Sequence, residues 1–221
     1  MKFASTFCLI ACFLIAMPAA VLPVASAAGE MAAQTEEGKL PNKAMWLWNR
    51  DGALINKPDE VINFSAENGF KLIYLHVLPE QYPQEALKDF IRKAHEKGIE
   101  VHALQGSPGH ALAENRDTIA KFTDWIAAYN AKAAENERFA GIHWSIQPYA
   151  LAEWAEDHGS VIRQWMNNVR YYTDYTRKLG LEISADIPFW LDRYEVTESG
   201  QTLSLSRWLM LQHDHVTVLA N

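Results

Sequence analysis

The chain has 221 residues, 49% of them hydrophobic, with 8 tryptophans and a formal net charge of −7. That apolar content suffices for a sizeable core, and the acidic balance, without any Lys/Arg-rich patch, excludes nucleic acid and anionic membrane surfaces as expected partners. Both cysteines, Cys8 and Cys12, sit close to the N-terminus, so the remainder of the chain has no disulfide or thiol chemistry to draw on.

Met1-Lys2 is followed by an apolar stretch from Phe7 to Val24 and then by Ala25-Ser26-Ala27. An early positive charge, a hydrophobic segment and a small-x-small site are the parts of a secretory signal. Residues 1–27 are therefore expected to be cleaved and the protein to be secreted, either extracellular or periplasmic. Pro18 and Pro23 interrupt the apolar stretch, which argues against a stable membrane span. Leu9-Ile10-Ala11-Cys12 offers the alternative of a lipoprotein anchored at Cys12. Residues 28–39 are small and polar and read as a flexible leader to a domain at 40–221.

From Ala44 onward a short apolar run, a loop, an amphipathic stretch and a glycine recur. The pattern predicts strands at Ala44–Trp48, Leu72–Val77, Val101–Leu104, Ile142–Ile146, Leu181–Ile187 and Val216–Leu219. The helices between them carry their own punctuation. Pro58 opens the first, with Asp59 and Glu60 in its first turn, and Gly69 follows its end. The second opens at Pro83, places Leu87, Phe90, Ile91 and Ala94 on one face, and ends at Gly98. Ile119, Phe122 and Ile126 mark the third. A Ser160 cap, then Ile162, Trp165, Met166 and Val169, then Gly180 mark the fourth.

Strict alternation of strands and helices predicts an α/β fold with a parallel sheet. The turn Trp48-Asn49-Arg50-Asp51-Gly52 lacks the glycines of a phosphate-binding loop, and polar or aromatic residues end nearly every strand. Both features favour a parallel (β/α) barrel of TIM type over a doubly wound sheet. The barrel is expected to be incomplete, with about six strands and five helices of its eight units before the chain ends at Asn221.

The active site of such a barrel lies at the C-terminal ends of its strands. Those ends offer Trp46 and Trp48, His76 with Glu80 beyond it, Gln105, then His143, Ser145, Gln147 and Tyr149, then Asp186 with Trp190 and Asp192. Alternation along a strand would turn His143, Ser145 and Gln147 toward one mouth. Asp186 could act as an acid/base, accept a sugar hydroxyl, or only anchor its loop. Glu80 and Asp192 could assist it, and Trp48 and Trp190 could stack on a sugar or simply pack. His213-x-His215 lacks a third ligand at suitable spacing, and His76, His102 and His143 on successive strands suit core packing better than metal binding. Neither a metal nor a cofactor is expected. Ser145 and His143, two residues apart on one strand, do not suit a catalytic triad.

Four stretches carry a resemblance: Met45-Trp46-Leu47-Trp48, Gly141 to Tyr149, Ala185 to Asp192, and His215-Val216-Thr217-Val218. Over roughly Leu40 to the C-terminus, the chain resembles a family of secreted bacterial proteins with glycoside-hydrolase-like TIM barrels. The resemblance implies a carbohydrate or related small polar ligand more than it implies a reaction. Where the family pattern would place an Asp-x-Glu pair, with the Glu as general acid, this chain has Ser145 and Gln147. Glutamine keeps the shape of glutamate but delivers no proton. The expectation is a carbohydrate-binding barrel with impaired or absent hydrolysis. Two alternatives stay open: an active hydrolase using Asp186 with Glu80 or Asp192, and a nonfunctional, C-terminally truncated fragment.

Overall fold

The computed structural model describes residues 43–48, 54–79, 82–198 and 200–220. The expected signal segment, the leader, Cys12, Glu80 and Asn221 lie outside the described residues. The strands are β1 (Ala44–Leu47), β2 (Leu72–His76), β3 (Glu100–Gln105), β4 (Gly141–Trp144), β5 (Glu182–Pro188), β6 (Glu195–Glu198), β7 (Gln201–Ser204) and β8 (His215–Leu219). The helices are α1 (Pro58–Glu67), α2 (Gln84–Glu96), α3 (Arg116–Lys132), α4 (Ala152–Lys178) and α5 (Leu205–Gln212).

Six strands pair in parallel in the order β1-β2-β3-β4-β5-β8. Neighbours in the sheet thus follow their order in the chain. Right-handed crossovers that always step the same way put every helix on one face of the sheet. A doubly wound sheet would instead reverse its order at a switch point. The result is a curled, parallel α/β half-barrel of TIM type, as the sequence predicts.

The face toward the helices is apolar. Ile73, Leu75, Val101, Ala103, Ile142, Trp144 and Ile183 pack against Leu87 and Phe90 of α2, Ile119 and Phe122 of α3, and Val161 and Trp165 of α4, all buried. Burying a side chain the size of Leu87 or Phe90 contributes about 1.5–3 kcal/mol. The opposite, inner face carries the alternate residues of each strand. Its apolar cluster among the described residues is small, Leu72, Tyr74 and Leu104 with Ala44 and Trp46 beside them. Elsewhere it is polar, where a complete barrel is filled chiefly by branched aliphatic side chains.

Helices α1 and α2 end as their glycines predict. Gly69 (φ 73°) and Gly98 (φ 64°) take the left-handed conformation, and the next N–H reaches back into the helix, Phe70 to Ser65 at 2.9 Å and Ile99 to Ala94 at 3.0 Å. The start of α4 differs from expectation. It begins at Ala152, and Asp157 (φ −151°, ψ 78°) breaks it. The Asp157 carboxylate accepts the Ser160 N–H at 2.9 Å, so Asp157, not Ser160, caps the long second half. The β6–β7 hairpin, turning at Gly200 (φ 79°), has no counterpart in the predicted elements. Arg170 of α4 fastens it, pairing with Glu198 at 2.7 Å while lying 5.2 Å over the Trp208 ring of α5. No helix among the described residues is long and apolar enough to cross a membrane.

Candidate functional site

The inner face holds a connected polar network at mid-height. Sheet register sets His143 of β4 beside Ser184 of β5, and Trp46 of β1 beside Tyr74 of β2. The fully buried His143 has Nε2 3.0 Å from Asp186 Oδ1 and Nδ1 2.8 Å from Ser184 Oγ. An ionised carboxylate only accepts, so Nε2–H donates to Asp186 and Nδ1 accepts the Ser184 hydroxyl, which fixes the tautomer. The indole N–H of Trp46 donates to the other Asp186 oxygen at 3.3 Å. Tyr74 stacks flat on His143, ring centroids 3.7 Å apart and planes 19° from parallel. Burial pushes the Tyr74 phenol up, hydrogen bonds to Thr217 and Ser184 oppose this, and the Asp186 charge reinforces it. Asp186, 3% exposed, is thus a buried carboxylate with a donor on each oxygen.

Above this network the strands open into a mouth lined by aromatics. Trp48, just past β1, is 45% exposed and lies 5.1 Å from the His76 ring. Tyr149 meets Trp190 edge-on at 5.0 Å. The Tyr149 phenol is pushed up by burial and then by the negative charge of Asp186, which links this pair electrically to the network below. Ser145 is buried, and its N–H bonds the Gln105 carbonyl at 3.0 Å. The two strands meet so closely there that a Cβ on Gly106 would overlap the Ser145 carbonyl. Gln147 is partly exposed and leads into the single turn Pro148–Ala150.

The structure therefore brings together Trp46, His143 and Asp186 by direct bonds, Trp48 with His76, and Tyr149 with Trp190. It does not bring in Gln105. Its strand runs through residue 105, so alternation turns that side chain toward the helices, into a recess with Leu78, Thr118, Phe122 and Trp125. The Gln105 amide oxygen accepts the N–H of Gly106 at 2.9 Å. Ser145 does not engage His143, whose nitrogens go to Ser184 and Asp186. Asp192 is exposed on the turn Phe189–Arg193. His213 and His215 do not act as a pair, because His213 is committed to the Tyr172 hydroxyl at 2.9 Å and the Leu209 carbonyl at 2.8 Å. Two network members, Tyr74 and Ser184, are absent from the sequence candidates. Their signal was the same-face pairing Tyr74-x-His76 and Ser184-x-Asp186.

No family profile matches the chain, and no curated protein matches it. Among solved structures it is similar to a chitinase from Bacteroides thetaiotaomicron, with a TM-score of 0.51 and 11% identity over 80% of this chain and 52% of that one. It is also similar to a sugar phosphate isomerase/epimerase from Parabacteroides distasonis, with a TM-score of 0.50 and 10% identity over 83% of this chain and 69% of that one. The chain spans about half the length of the chitinase. What both likenesses share with this protein is the fold, a parallel (β/α) barrel of TIM type, built here from six strands.

Proposed function

We propose that this is a secreted carbohydrate-binding domain on a glycosidase-like barrel, with hydrolysis impaired or absent. One observation carries the proposal. The six strands of the sheet hold three acidic residues, Glu100, Glu182 and Asp186, and the first two lie at strand N-termini, away from the mouth. Asp186 already has a donor on each oxygen, and by the sequence resemblance Ser145 and Gln147 stand where the family pattern has its acid pair. Hydrolysis by two carboxylates needs both groups flanking the scissile bond, roughly 5–9 Å apart. What remains at the mouth suits binding: stacking surfaces at Trp48 and Trp190, and hydrogen-bonding groups at His76, Ser145, Gln147 and Tyr149. Secretion rests on the signal-like residues 1–27, which are part of the same proposal.

The structural likeness to a chitinase makes chito-oligosaccharides the first probe. Calorimetric titration of the purified protein should show binding without product release. Trp48→Ala and Trp190→Ala should each weaken it by about 1 kcal/mol, roughly fivefold. The double change Ser145→Asp with Gln147→Glu should then introduce slow hydrolysis. Turnover by the unmodified protein that disappears in Asp186→Asn would instead establish an active hydrolase using Asp186 with Asp192 or Glu80. Failure of a broad glycan panel to bind would end the carbohydrate assignment.

A further inference from the structure

At the opposite end of the sheet from the mouth, the inner face gathers a second group of chemistry-bearing side chains. Glu100 and His102 share a face of β3, and Glu182 begins β5 two strands away. One ligand atom from each of the three lies within 4.8 Å of the others. The His102 ring is fully buried, and neither of its nitrogens has a hydrogen-bond partner among the described residues. Its Nε2 is 3.7 Å from a Glu182 oxygen, too far for a hydrogen bond.

The backbone makes room for this arrangement. Register sets His102 beside Gly141 and Gly141 beside Glu182. A Cβ at position 141 would fall 2.7 Å from His102 Cε1 and 2.8 Å from Nδ1. Only glycine there lets the imidazole lie across β4 toward the glutamate. An imidazole buried with both nitrogens unbonded bears the desolvation penalty of each unsatisfied group. A cation between the ring and the carboxylates would remove part of that cost.

We propose that Glu100, His102 and Glu182 form a binding site for a divalent transition-metal ion of the zinc class. Two carboxylates balance the charge of a dication. The imidazole nitrogen selects a borderline ion over calcium or magnesium, which take oxygen ligands. Both glutamates are exposed, which leaves the ion a path in and positions for water. His215 of β8 borders the site, its ring centroid 5.6 Å from that of His102. The three ligands were not joined in the sequence because Glu100 and Glu182 meet only through the stepwise order of β3, β4 and β5.

The test is calorimetric titration of the chelator-treated protein with zinc, repeated in excess calcium. One zinc should bind per chain, calcium should not displace it, and Glu100→Gln with Glu182→Gln should weaken it at least tenfold. The exposed glutamines should leave the near-ultraviolet circular dichroism unchanged. Zinc should also shift the His102 ring-proton resonances of the unsubstituted protein, a readout that does not depend on any variant folding. Absence of saturable binding, equal affinity in the double variant, displacement by calcium, or unmoved His102 resonances would each overturn the site.

Discussion

At the scale of single residues, His143 organises the inner face. Its two nitrogens tie Ser184 to Asp186, and its ring supports Tyr74. Removing the imidazole would leave the buried Asp186 carboxylate with one donor fewer and the Ser184 hydroxyl without its imidazole acceptor. Taking a hydrogen-bond donor from a buried carboxylate costs more than removing a bond between neutral groups. His143→Ala should therefore lower stability by about 2–4 kcal/mol in urea unfolding. Ser184→Ala, which removes a neutral hydroxyl, should cost about 1 kcal/mol by the same measurement. Comparable small losses for both would show that the network contributes little to holding the sheet.

At the scale of elements, the break in α4 makes a separate prediction. The Asp157 carboxylate is the cap of the long second half, so Asp157→Ala should reduce thermal stability by about 1 kcal/mol, and Asp157→Asn should largely retain it. This cap was hard to see in the sequence, because Ala152 to Glu156 carries no apolar stripe to announce a helix ahead of Ser160. The six sheet strands and four of the five helix faces were legible, since Pro58, Gly69, Gly98 and Gly180 punctuate them and their buried faces repeat at helical or strand spacing. The hairpin was not, since Glu195 and Thr197 face solvent and leave Val196 as its buried residue in β6. The same limit applied at the site. Trp48 and Asp186 stood out because they lie at or near the C-terminal ends of their strands, and His143 because it belongs to the stretch from Gly141 to Tyr149, whereas Tyr74 and Ser184 sit inside theirs without such a signal. Gln105 ends β3 on the same face as Val101 and Ala103, so its side chain lies toward the helices.

At the scale of the whole molecule, buried imidazoles set a dependence of stability on pH. Burial holds His213 at about 4, below its ordinary 6.5, against an opposing hydrogen bond that its ring N–H donates to the Leu209 carbonyl. The unfolded chain binds this proton as pH falls through 6.5, and the folded chain does not until about 4. Its contribution is fully present above the unfolded value and is lost as pH falls through that window, by up to about 1.4 kcal/mol per unit. Urea midpoints measured in chelator from pH 7.5 to pH 4.5 should therefore decline, and His213→Gln should flatten the decline. The stepwise sheet has a consequence for how such a molecule comes to exist. Paired strands lie close along the chain, Ala44 with Leu72 and Leu72 with Glu100, and at most as far as Gly141 with Glu182. Each closure spans one unit, so its entropic cost does not grow with the length of chain already folded. The protein can assemble vectorially, every new strand docking on one already in place. An outer unit can be gained or lost at the cost of a single ladder, while an inner one would take two.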